Sequence, residues 1–143
     1  MINATVKYIV SQAALEMGTS QTPASQVFGS ADQDIVQLAA LLNTVADEIM
    51  LEDPYRVTLG DHVWVSDLNG DPKLYPTVDT DRVLFDSRLA INGLKYRFLQ
   101  AKGYEFAEQL KDFVVRMNKL GRMTNGKVLD LDAVAWTGGD RDR

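Results

Sequence analysis

Apolar residues in the first part of the chain recur at steps of three and one. Val6, Ile9, Val10, Ala13, Ala14 and Met17 fall on one stripe of a helix spanning Val6 to Met17. Asn3 or Thr5 can cap its start, and Gly18, which tolerates a left-handed backbone, can end it. The following TSQTPASQVFGS is dense in turn formers and contains Pro23, so it reads as a loop. It leads to Ser30-x-x-Gln33, a capping box that satisfies the free N–H groups of a helix start. Behind it Ile35, Leu38, Ala39, Leu42, Val45, Ala46 and Ile49 form a second apolar face, which should reach about Glu52 and stop before Pro54.

The helical period is absent between Tyr55 and Thr80. Val63, Trp64 and Val65 on one side, and Leu74 and Tyr75 on the other, have the branched and aromatic character of short strands, which predicts a small β-hairpin. Asp79 or Asp81 can cap a third helix from Arg82 to Lys102. Its apolar residues, Leu84, Phe85, Leu89, Ala90, Ile91, Leu94, Phe98 and Leu99, cover more than one stripe and so predict a central position. Gly103 closes it, and Phe106, Ala107, Leu110, Phe113, Val114 and Met117 place a fourth helix over Tyr104 to Leu120, antiparallel to the third. Beyond Gly121, Leu129, Leu131, Ala133 and Ala135 alternate with Asp130, Asp132, Val134 and Trp136, the two-residue period of an extended arm that ends in GGDRDR. The expected fold is mainly α: a four-helix bundle-like core over residues 1–120, a β-hairpin at about 55–80 between helices two and three, and an extended C-terminal arm over 121–143.

Composition narrows the chemistry. A chain of 143 residues, 45% hydrophobic and 24% charged, suits one domain with one core. It has no run of about 18 apolar residues and no basic segment leading into an apolar one at its start, so it is read as soluble, without a membrane partner, and not exported by a signal peptide. With no cysteine and one histidine, disulfides, thiolate nucleophiles and the usual Cys/His zinc sites are excluded. The formal charge of −5 disfavours a surface built to grip phosphate backbones, though not passage of DNA past the protein.

Candidate sites are few. In DLNGDP, Asp67, Asn69 and Asp71 occupy the first, third and fifth positions of a calcium loop, but Pro72 stands where glycine must turn the chain and Val78 where a bidentate glutamate is needed. Asn69-Gly70 is instead a strong hairpin turn. His62 beside Asp61 reads as a strand-edge residue, since neighbours on a strand point to opposite faces. Glu48, Glu52 and Asp53 read as a solvated helix face rather than a hydrolytic carboxylate pair. No catalytic residue, cofactor site or metal site is assigned.

Two features point to partners. Arg88, Lys95 and Lys102 line one side of the third helix and are expected to be solvated or to meet acids of a neighbouring chain. Val128, Leu129, Leu131, Val134 and Trp136 of the arm cannot satisfy or bury themselves alone, and are expected to dock on another subunit or protein, or to fold back on their own domain. Gly93 inside the third helix costs about 0.8–1.0 kcal/mol relative to alanine, which predicts close approach of another backbone.

Two stretches, VFGSADQDIVQLAALLNTVADEI (27–49) and DTDRVLFDSRLAINGLKYRFLQAKGYEFAEQLKDF (79–113), resemble the small head-to-tail adaptor proteins of tailed bacteriophages, which include the tail accessory factors of short-tailed phages. The likeness lies in the order of elements, the Phe28-Gly29-Ser30 entry to the second helix and the Lys102-Gly103 break. The middle segment is shorter than in many relatives. The resemblance implies a structural virion protein with no enzymatic role, located at the head–tail junction after assembly in the host cytoplasm. It would form a homo-oligomeric ring, in about twelve copies to match the portal protein beneath which it docks. It would meet tail or nozzle proteins on its other side and extend the DNA exit channel, with DNA only as passing cargo. A DNA-binding packaging subunit would need a basic recognition helix, and a cell-wall hydrolase two acids across a cleft. Neither pattern is evident in the residues.

Overall fold

The computed structural model describes residues 4–20, 24–51 and 63–129. Helix α1 spans Val6–Met17. Thr5 caps it, its hydroxyl accepting the Tyr8 N–H at 3.1 Å, and Gly18 ends it at φ +77°, where its N–H reaches the carbonyls of Ala14 and Leu15. Helix α2 spans Gln33–Met50. Its cap is Asp32, which accepts the Asp34 N–H at 2.9 Å, not the expected Ser30; the Ser30 hydroxyl, two residues earlier, accepts the Asp32 N–H at 3.1 Å.

Helix α3 spans Ser87–Lys102 and begins five residues later than expected. Asp86 caps it, accepting the Leu89 N–H at 2.9 Å, and neither Asp79 nor Asp81 does so. Arg82–Val83 is instead a strand, recruited by long-range pairing that overrides the local helical pattern. The sheet has three antiparallel strands, β1 (Val65–Ser66), β2 (Pro72–Lys73) and β3 (Arg82–Val83), in the order β2-β1-β3. Val65 faces Lys73 across one ladder and Val83 across the other. The expected hairpin is therefore present, but its second strand precedes Leu74 and Tyr75, whose side chains stay exposed. Thr5 bridges to Arg82, the Val83 N–H reaches the Ala4 carbonyl at 2.9 Å and the Val6 N–H reaches the Asp81 carbonyl at 2.8 Å, so the start of α1 extends the sheet.

Helix α4 spans Ala107–Leu129, three residues shorter at its start than expected and nine longer at its end. Residues 121–129 are thus helical rather than extended, and a domain boundary after residue 120 would cut a helix. Glycine inside a helix costs about 1 kcal/mol but does not stop it, and Gly121 continues α4.

The expected four-helix core is present. Helix α3 packs against α1, α2 and α4, which accounts for its wide apolar surface. Ile9, Leu38, Leu42, Ile49, Leu89, Ile91, Leu94 and Phe98 are fully enclosed, and Trp64, Val65 and Val83 of the sheet region join the same cluster. Each large side chain so buried contributes about 1.5–3 kcal/mol. Gly93 lies where α3 crosses its neighbours. A Cβ there would stand 2.6 Å from Val45 Cγ1 and 3.0 Å from Phe113 Cε1, so what approaches is two side chains rather than a backbone.

Candidate interaction surfaces

The Arg88, Lys95 and Lys102 stripe is answered by acids of its own chain, which corrects the expectation that a neighbouring chain supplies them. Arg88 and Lys95 both donate to Glu16 of α1, at 2.8 and 2.9 Å. Gln12 donates to the same carboxylate at 2.9 Å. Partial burial would raise the Glu16 pKa, but the hydrogen bonds from Arg88, Gln12 and Lys95 and the Lys95 charge outweigh it and hold the carboxyl down at about 2. Lys102 lies 3.5 Å from Asp34 of α2 and 5.4 Å from the centroid of Phe98. The stripe thus fastens α3 to α1 and α2.

Glu48, expected on a solvated face, is partly buried and paired, its side chain 33% exposed. It accepts the Tyr96 hydroxyl and two Arg97 nitrogens, Nη2 at 2.8 Å, tying α2 to α3, while the Arg97 guanidinium lies 5.1 Å from the Tyr96 ring centroid. Burial, and then the Glu48 carboxylate, push the Tyr96 phenol well above its usual value. Asp86 likewise works twice. Beyond capping α3 it takes Arg116 Nε at 3.0 Å and Nη2 at 2.9 Å from α4. These donors pull its pKa down despite partial burial.

The DLNGDP turn is held by backbone donors. Asp67 Oδ1 accepts the N–H groups of Asn69 and Asp71, each at 2.9 Å, and Gly70 takes φ +91°. No group of three or more metal-ligating side chains forms among the described residues. Asp79 and Asp81, expected as caps, organise loops instead. Asp79 accepts the N–H groups of Val27 and Phe28, each at 2.9 Å, and so pins the entry to α2. Asp81, whose side chain is fully buried, takes Lys73 Nζ at 2.7 Å and the N–H groups of Thr77 and Val78 on one oxygen.

Exposed large apolar side chains gather in two regions, while Tyr8 of α1, Val36 of α2 and Leu51 at the end of α2 stand apart from them. Leu68, Leu74, Tyr75 and Val78 lie on the hairpin and the loop that follows it, with Leu74 83% exposed. Tyr104, Val114 and Val115 lie on α4 and the turn before it. A third feature is a mostly apolar cleft of about 320 Å³ along α1, lined by Thr5, Lys7, Tyr8, Ser11, Gln12 and Leu15. Ser11 is buried at 7% exposure, and its hydroxyl has no hydrogen-bond partner among the described residues.

Of the arm residues, Val128 and Leu129 close helix α4 and are not extended; Leu131, Val134 and Trp136 lie outside the described residues, as do His62, Asp61, Glu52 and Asp53. The ion pairs and hydrogen bonds of Glu16 with Arg88, Tyr96 with Glu48 and Asp86 with Arg116 are not legible in the sequence, because the partners lie 72, 48 and 30 positions apart; the Asp86 cap on Leu89 is a local signal. Among the described residues no helix is long and apolar enough to cross a membrane. No family model, curated protein or solved structure matches the chain.

Proposed function

We propose that this chain is a structural adaptor of a tailed-phage virion, forming a ring beneath the portal that joins head to tail and prolongs the DNA channel. The observation that carries the reading is the presence of exposed apolar side chains on two separate elements, the hairpin region and the outer face of α4. A ring closes through heterologous contacts, in which one patch meets a different patch on the next copy, and such contacts would bury both. The mainly helical body with a small sheet between α2 and α3 is the order of elements implied by the resemblance over 27–49 and 79–113. A net charge of −5 suits a channel wall that DNA passes without sticking.

The test is to mix the purified chain with the portal protein of the same genome and measure the mass of the complex in solution. A complex holding as many copies of this chain as of the portal supports the reading. A portal that keeps its own mass at saturating chain concentration overturns it.

A further inference from the structure

We infer that the cleft along α1 is the receptor for the C-terminal residues of a second copy, with Trp136 as the side chain that fills it. The inference rests on the ring reading above and adds a further contact between neighbours to that of the two exposed patches.

The cleft itself sets the chemistry of its occupant. At about 320 Å³ it is at the lower limit of small-ligand pockets, large enough for one aromatic side chain with part of its backbone. Leu15 and the Tyr8 ring supply apolar walls. Ser11 lines the cleft, and its buried Oγ lacks a hydrogen-bond partner among the described residues. Leaving a buried hydroxyl unpaired costs about 1–3 kcal/mol, so an occupant that brings a donor on an otherwise apolar body is favoured. Indole has that form: a large apolar surface with one N–H donor and no acceptor. Lys7, exposed at the rim, meets the opposite charge in Asp130 and Asp132, which precede Trp136 in an otherwise apolar run.

Chain length permits the contact to be made between copies. Fourteen residues follow Leu129, the last residue of α4, and Trp136 is seven beyond it, a reach of up to about 25 Å if extended. Both α1 and α4 pack on α3, so a tail leaving α4 for α1 of the next copy joins two different surfaces, as a closed ring requires.

Trp64 and Trp136 are the only tryptophans, and Trp64 is 5% exposed against Phe85, so acrylamide quenching of the full chain reads chiefly Trp136. Trp136→Phe supplies the blank. As protein concentration rises, the quenching constant of Trp136 should fall several-fold while sedimentation velocity shows association. Trp136→Ala and Tyr8→Asp, the latter at a half-exposed position that the core does not need, should each weaken that association at least ten-fold. Protection of Trp136 that is independent of concentration would mean that the tail folds onto its own chain, and would overturn the inference. So would association unchanged by Trp136→Ala, or a Trp136 that remains quenchable both alone at high concentration and on the portal. A ring on the portal built equally well by Trp136→Ala removes this inference and leaves the adaptor reading standing. Failure of the wild-type chain to bind portal, with concentration-dependent protection intact, does the reverse.

Discussion

Gly93 of α3 stands so close to Val45 of α2 that a methyl group on it would lie 2.6 Å from Val45 Cγ1, inside any allowed carbon–carbon contact. Phe113 of α4 closes the other side, so one hydrogen atom's worth of space joins three helices. Val45 is fully buried and, being β-branched, has little rotamer freedom with which to move away.

Gly93→Ala should therefore destabilise the protein by about 1–3 kcal/mol of overpacking, more than offsetting the roughly 1 kcal/mol that alanine contributes to a helix. Urea unfolding measures this. The same substitution on a Val45→Ala background should cost markedly less, and equal cost in both backgrounds would show that the two residues do not meet.

Asp86 and Arg116 couple the cap of α3 to the flank of α4. Asp86→Ala loses the cap, worth about 0.5–2 kcal/mol, and also leaves the Arg116 guanidinium without this acid. Arg116→Ala leaves the cap in place. The expected order in thermal unfolding is wild type, Arg116→Ala, then Asp86→Ala, and a reversal would mean that Arg116 stabilises the fold mainly through contacts other than Asp86.

Lys73 and Asp81 form the most enclosed ion pair among the described residues, with the acid fully buried and the amine 25% exposed. Lys73→Met leaves a buried carboxylate facing only the N–H groups of Thr77 and Val78, a loss on the order of 3 kcal/mol. Hydrogen exchange should quicken first at Thr77 and Val78.

Glu16 supplies a pH dependence. Its carboxyl is held at about 2 in the folded protein against an ordinary 4.5, so the folded state binds its proton less readily than the unfolded chain does. The resulting stability is complete above pH 4.5 and disappears as pH falls toward 2. Arg88 and Lys95 are only partly shielded, so the contribution is on the order of 1 kcal/mol. Glu16→Gln should flatten the acid limb of the stability profile over that interval and leave the neutral plateau lower. An unchanged acid limb would rule out Glu16 as its source.

These pairs also show what could be read from the sequence. Helix α1 was legible to the residue, because its apolar spacing, Thr5 and Gly18 are all local signals. The start of α3 was not. Asp79 and Asp81 have capping chemistry, and Leu84 and Phe85 continue a helical period, yet Arg82–Val83 pairs with β1 and bridges to Thr5, partners 16 or more positions away. The cation stripe was visible, but its acids were not, since Glu16 and Arg88 are 72 positions apart. The end of α4 was misjudged because Gly121 reads as a stop, although nothing there requires a left-handed backbone.

The adaptor reading is tested most directly by electron microscopy of the portal protein with and without this chain. It predicts added density beneath the portal as a closed ring sharing the portal's symmetry axis, with one copy of this chain for each portal subunit. Portal particles unchanged at saturating chain concentration would contradict it.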